Sequence, residues 1–168
     1  DLVRSRGLGD VYKRQEIHHV CIAVEDVEKT AKALSTMFGI GPFRTSTYES
    51  PPAKAKVHGK PQGYRLKFGD AKAGPVAIEL VQKLEGKTAI DDFLNRRGEG
   101  LHHLAFECDP PLDEEIAKWK RLGIEALQVD KNLSKDPRYG WAYMDTEKHV
   151  GCILEIMCLP PENSERRV

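Results

Sequence analysis

Residues 17–23 read IHHVCIA, and residues 101–107 read LHHLAFE. Both are apolar runs headed by a doubled histidine, in a chain that has only 6 histidines. Aligning the two doublets sets an offset of 84 residues (His102 less His18), and the same offset lands Phe38-Gly39-Ile40 on Leu122-Gly123-Ile124. Such self-similarity is the mark of a duplicated structural unit. Each copy runs strand, helix, glycine stop.

The first helix is expected over 26–38. Asp26 can cap it, Val27, Ala31, Leu34 and Phe38 form one apolar stripe, and Gly39 supplies a left-handed stop. Its counterpart is expected over 112–122, with Leu112, Ile116, Trp119 and Leu122 as the stripe and Gly123 as the stop. Short β-branched or aromatic runs then follow in each copy. They are FRTSTYES, YRLKFG and VAIELVQ in the first, with a turn in GDAKAG, and EALQVD, YGWAYMD and CILEIMC in the second, with a turn in TEKHVG. The expected fold is therefore α+β, built from two tandem βαβββ modules, residues 16–84 and 101–160. A connecting helix, capped by Thr88 and ended at Gly98, occupies residues 85–100. Residues 1–15 carry no apolar periodicity and are expected to be a disordered, non-native leader, and residues 161–168 a solvated tail.

Bulk properties narrow the partners. The 168 residues carry 26 basic and 26 acidic side chains, so net charge gives no case for nucleic acid or an acidic membrane surface. No apolar run approaches the roughly 18 residues of a membrane span. The 4 cysteines, Cys21, Cys108, Cys152 and Cys158, lie in or beside apolar runs without a CxxC pair. They read as reduced, buried small side chains, which places the chain in the cytoplasm.

Alternation along the strands sorts the polar residues into faces. His18 shares a face with Val20, Ile22 and Val24, and His102 with Leu104, Phe106 and Cys108. These bulky faces suit packing under a helix. His19 lies instead with Cys21 and Ala23, and His103 with Ala105 and Glu107. In the closing strands Glu79 and Glu155 interrupt apolar runs at matching places. A carboxylate in such a run is costly unless it is paired or binds a metal. His19, Glu79, His103 and Glu155 therefore form a candidate metal site with two nitrogens and two oxygens. That donor set suits Mn, Co, Ni, Fe(II) or Zn and leaves positions for water or substrate. His18 and His102 are left to packing or to contacts behind the ligands. His58 and His149 fall in loops and receive no role.

Over residues 16–159 these features resemble the vicinal oxygen chelate superfamily, which includes glyoxalase I, methylmalonyl-CoA epimerase, extradiol dioxygenases and bleomycin-resistance proteins. The stretches HHVCIAVEDVEK, FLNRRGEGLHHLAFECD and GCILEIM are most similar to the epimerase branch. The resemblance implies that the paired modules form one cupped mixed sheet around a metal site, with one divalent metal held by His19, Glu79, His103 and Glu155. It implies a small-molecule substrate, with an acyl-CoA among the candidates, and it admits a homodimer.

The chemistry so implied is proton abstraction next to a carbonyl, with a metal-stabilised enolate and Glu155 as the base. In the epimerases the metal position filled here by Glu79 can be Gln, so Glu79 leans toward a glyoxalase-like set and a lactoylglutathione lyase. Those epimerases also place a second acid/base Glu on a first-half strand. The matching position is near Leu66, beside Arg65, Lys67, Tyr48 and Glu49, and holds no carboxylate. Lys54, Lys56 and Lys60 read as a solvated loop rather than a phosphate site. An extradiol oxygenase fits less well, because Glu79 adds a fourth ligand to its two-His, one-Glu pattern. A metal-free binding protein fits poorly with four intact ligands.

Overall fold

The structure, a computed structural model, describes residues 16–161, so the expected leader and nearly all of the tail lie outside the described residues. The first module contains β1 (His19–Ala23), α1 (Val27–Phe38), β2 (Arg44–Ser50), β3 (Ala55–Val57), β4 (Lys60–Pro61), β5 (Tyr64–Ala73) and β6 (Val76–Gly86). Helix α2 (Ala89–Arg97) leads to the second module: β7 (Gly100–Glu107), α3 (Leu112–Arg121), β8 (Ala126–Asp130), β9 (Gly140–Met144), α4 (Glu147–Val150) and β10 (Ile153–Cys158). All ten strands form one curled sheet, a half-barrel in the order β2-β5-β6-β1-β7-β10-β9-β8-β3-β4.

Capping chemistry sets the helices. Asp26 accepts the Lys29 amide at 3.0 Å at the start of α1, and Gly39 closes the helix at φ 68°. Thr88 and Asp91 cap α2 reciprocally, a capping box of the S/T-x-x-E kind with Asp in the last place. Helices α1 and α3 cover the convex side. Val27, Ala31 and Leu34 pack on Ile22, Val24 and Leu80, while Leu112, Ile116 and Trp119 pack on Ala142, Met144 and Ile156. The alternation of β1, β6 and β10 is thus expressed as two layers. The stripes are shorter than expected, since Phe38 and Leu122, at the last turns, are 66% and 74% exposed.

The modules meet through β1 and β7, which pair antiparallel, and each of these strands pairs parallel with the closing strand of its own module, β6 or β10. The four strands that carry the candidate ligands are therefore consecutive in the sheet, in the order β6-β1-β7-β10, third to sixth of the ten.

Three expectations need correction. The turn foreseen in GDAKAG is confined to its end, because β5 runs through Gly69 and Asp70 to Ala73. The lysine-bearing segment is not a plain loop. Its strand β3 crosses to the far edge of the sheet and pairs with β8, Ala55 opposite Asp130 and Val57 opposite Gln128. Buried Asp130 fastens this crossing: it accepts Tyr48 Oη at 2.7 Å, the Tyr64 hydroxyl, and the Asn132 amide at 2.7 Å. Burial, followed by the Asp130 charge, pushes both tyrosine hydroxyls above their ordinary range. Finally, the cysteines are not all reduced. Cys108 and Cys158 form a disulfide, with Cα atoms 5.0 Å apart, because parallel pairing of Met157 with Glu107 puts these two next in register. Cys21 and Cys152 remain thiols, and the cysteines no longer argue for a reducing compartment. Among the described residues no helix is long and apolar enough to cross a membrane.

Candidate metal centre

Register brings the four predicted ligands to one point. Cys21 sits opposite Glu79 on one side and His103 on the other, and Ile153 is opposite His103. His19, two residues before Cys21, and Glu155, two residues after Ile153, share those residues' face and complete the cluster on the concave side. His19 Nε2 lies 3.0 Å from His103 Nε2, and Glu155 Oε2 lies 3.1 Å from each of them. Glu79 Oε1 stands 3.6 Å from His19 Nε2 and 3.9 Å from His103 Nε2.

These separations suit a metal ion. Donors bound at about 2.1 Å stand about 3.0 Å apart when adjacent on an octahedron and about 3.4 Å apart on a tetrahedron. Glu155 Oε2 is buried and makes no aligned hydrogen bond, so an ion would satisfy an otherwise orphaned oxygen. His19, Glu79 and His103 meet the mutual spacing of a metal-binding group, a group that does not include Glu155. The residues present fit the ion that the donor set implies.

Charge is distributed unevenly across the cluster. Burial opposes the charged form of His19, but Glu79, Glu155 and Asp70 outweigh it and raise the group to about 9. His103 is lowered by burial, which the attraction of Glu155 offsets only in part. Burial raises Glu79 to about 7, with repulsion from Glu155 and Asp70 adding to the shift against the pull of His19. Glu155 goes the other way: burial would raise it, yet contact with His103 and His19 brings it to about 2.

The doubled histidines do not divide as the strict alternation implied. The pairing of β1 with β7 shifts between Cys21 and Ile22, whose partners are His103 and Leu101, so His102 is the extra residue of a β-bulge. The bulge turns His102 away from the helix layer. Its ring is fully buried against Phe93 and Tyr143, T-shaped to each at 5.0 Å, and its Nδ1 lies 2.8 Å from His103 Nδ1. His18 Nδ1 makes the equivalent approach to His19 Nδ1 at 2.9 Å. Burial and then His103 hold His102 well below its ordinary pKa.

Two further groups in the centre were not foreseen. Asp70 stands directly opposite Glu79 in the β5–β6 ladder and shares its concave face. Burial raises its carboxyl, against the pull of His19. It was missed because Gly69-Asp70 reads as a turn; a longer β5 would have put it in phase with Leu66 and Phe68. Cys21 is the other, a buried thiol between two ligand strands, raised by burial and then by Glu79. Leu66, the position matched to a second acid/base residue, is core. Its neighbours Arg65 and Lys67 pair with Glu85 and Glu28 away from the site, and Tyr48 is engaged by Asp130. His58, given no role, pairs with Asp92 at 2.6 Å on the rim of a cavity of about 470 Å³. Phe93, Leu127 and Ile153 also line that cavity, and Ile153 is the concave-face neighbour of Glu155.

Comparisons with known proteins agree with this architecture. The chain is 25% identical over 149 residues to the uncharacterized protein YqjC of Bacillus subtilis (strain 168), covering 86% of this chain and 91% of that protein. It is similar in fold to a Streptomyces coelicolor methylmalonyl-CoA epimerase in complex with 2-nitronate-propionyl-CoA, at TM-score 0.59 and 18% identity over 87% of this chain and 98% of the other. A methylmalonyl-CoA epimerase from Mycobacterium tuberculosis matches at TM-score 0.59 and 17% identity, over 91% and 93% of the two chains. A family model matches residues 18–145, a stretch that takes in three of the four candidate ligands and ends before Glu155. With that match spanning well over half of the sequence, the chain belongs to the Glyoxalase/Bleomycin resistance protein/Dioxygenase superfamily.

Proposed function

We propose that the chain is a metal-dependent isomerase, epimerase or lyase that removes a proton next to a carbonyl, in the manner of methylmalonyl-CoA epimerase. The observation that carries this reading is the gathering of Glu79 and Glu155 around the paired Nε2 atoms of His19 and His103, with each carboxylate 3.1–3.9 Å from both nitrogens. A divalent ion held there supplies Lewis-acid stabilisation to the oxyanion that develops when a C–H proton leaves.

The chain's own residues handle the proton. Glu155, on the closing strand of the second module, is the carboxylate that accepts this proton, in the ionised form that metal binding requires of it. Asp70 lies at the opposite flank, on β5, where Glu155 lies on β10, and it is the carboxylate outside the ligand set. It supplies the second acid/base group that an epimerisation requires. Buried Ala23, Val81, Ala105 and Ile153 give this end of the half-barrel an apolar lining. The substrate class is a small acid or thioester with two oxygens near one carbon, and an acyl-CoA is the leading candidate because the epimerase neighbours were crystallised with CoA compounds. Glu79 favours one alternative, a glyoxalase-like lyase, since it makes the donor set a pair of histidines and a pair of carboxylates.

Solvent deuterium exchange into methylmalonyl-CoA, other acyl-CoAs and 2-oxo or 2-hydroxy acids tests the reading. Metal-loaded protein should exchange the proton next to the carbonyl in at least one class. Absence of exchange in all of them, or absence of stoichiometric metal in the purified protein, would refute it.

A further inference from the structure

The metal centre uses one histidine from each doublet and leaves His18 and His102 without a task. A neutral imidazole carries one proton on two ring nitrogens. The Nε2 atoms of His19 and His103 converge on the carboxylates, so a ligand role for them places the ring proton on Nδ1. A buried N–H needs an acceptor. The group facing each of these protons is the Nδ1 of the preceding histidine, at 2.9 Å for His18 and 2.8 Å for His102.

We propose that His18 and His102 are positioning residues for the metal centre, each accepting through its own Nδ1 the Nδ1–H of the ligand histidine that follows it. This rests on the metal reading above and adds the residues that orient its nitrogen ligands. A regular strand would send residues 102 and 103 to opposite faces, and the bulge at His102 is what brings both rings to the same side. Before β1 the chain is free of that constraint, and His18 reaches His19 from the strand's entrance. The doublet is thus one functional unit: an orienting ring followed by a binding ring.

The two arms differ in stiffness. His102 is fully buried between Phe93 and Tyr143, which fix its ring plane. His18 is half-buried, and its Nε2 faces Glu107 Oε1 at 3.9 Å. Loss of the buried arm leaves His103 with no substitute acceptor within reach of water, whereas solvent can replace His18 in part. His102 is therefore the more consequential of the two.

The test uses the full chain loaded with Co(II), with affinity measured by chelator competition and the ligand field read from visible absorption. His102→Phe keeps an aromatic ring but removes the acceptor, and it should weaken Co(II) binding by roughly 10–100-fold and alter the spectrum. His102→Asn, whose side-chain oxygen can take the same proton, should recover most of the affinity and the parent spectrum. His18→Phe should show a smaller loss in the same direction. A folded His102→Phe or His18→Phe protein that binds Co(II) with parental affinity and spectrum overturns the proposal while the metal centre stands. If His102→Phe does not fold, His18→Phe decides. A parent protein that takes up no Co(II) removes the metal reading itself, and this assignment with it.

Discussion

Zinc loading at pH 7 should release about 1.5 protons per chain, and at pH 9 only about 0.5. The numbers come from the electrostatics of the four ligands. In the metal-free cluster His19 titrates at about 9 and is protonated at pH 7, while Glu79, at about 7, is half protonated. Glu155, at about 2, and His103, which is lowered, are already in their binding forms. Metal binding requires neutral imidazoles and ionised carboxylates. The ion therefore displaces one proton from His19 and about half a proton from Glu79 at pH 7. Integrating the release from pH 7 to pH 9 makes apparent zinc affinity about 100-fold higher at the upper end. The sign also fixes the stability of the metal-free fold. Because His19 is raised above its ordinary 6.5, its contribution is complete below that pH and is lost as pH rises through about 9. Calorimetric titration in buffers of different ionisation enthalpy gives the proton count from the slope of observed heat against buffer heat. A slope of zero at pH 7, or a release that grows toward pH 9, refutes the assigned protonation states.

Three other outcomes follow from named contacts. Glu155→Gln should retain the fold and lose turnover, whereas Asp70→Asn should lose epimerisation yet keep solvent exchange at one antipode; chiral analysis of exchanged substrate separates them, and turnover by Glu155→Gln removes it as the base. Asp130→Ala strands the hydroxyls of Tyr48 and Tyr64 and should cost about 2–6 kcal/mol, from roughly 1–3 kcal/mol for each unsatisfied group, as read from urea unfolding. A loss under about 0.5 kcal/mol would mean that the crossing strand is held by something else. Gly86→Ala should cost about 2–4 kcal/mol, since Gly86 has φ 76° and an added Cβ would lie 2.8 Å from Tyr64 Cα and closer still to the Gly63 carbonyl oxygen. A thermal unfolding midpoint unchanged from the parent would contradict that.

The readable part of this molecule was the part governed by period. The offset between the His doublets and the phase of Glu79 and Glu155 within apolar strands pointed to the cluster, because a strand repeats every two residues and its buried face tolerates no idle carboxylate. Local rules likewise gave Asp26, Gly39, Thr88 and Gly98 their capping roles. The unreadable part arose where pairing between distant strands overrides period. The bulge at His102 exists only against β1, and no local residue announces it. Asp70 looked like a turn because Gly69 precedes it, but Gly69 is there for another reason: its missing side chain lets Val27 of α1 sit on β5, where an added Cβ would lie 2.9 Å from Val27 Cγ1. Cys108 and Cys158 lie 50 residues apart and meet only through the parallel register of β7 and β10. The crossing of β3 to β8 belongs to the same class.

That crossing strand also decides how the duplicated modules are bound to one another. A single module cut from this chain would carry β3 with no edge to join, and β1 with one flank open where β7 belongs. Exposed, unpaired strand edges recruit other chains. Two full chains that trade their 51–63 arms would pair each β3 with the other chain's β8, making a domain-swapped pair out of contacts made within one chain. The two modules are thus tied at two places, the β1–β7 seam and the β3–β8 crossing, and separating them would leave unpaired edges at both.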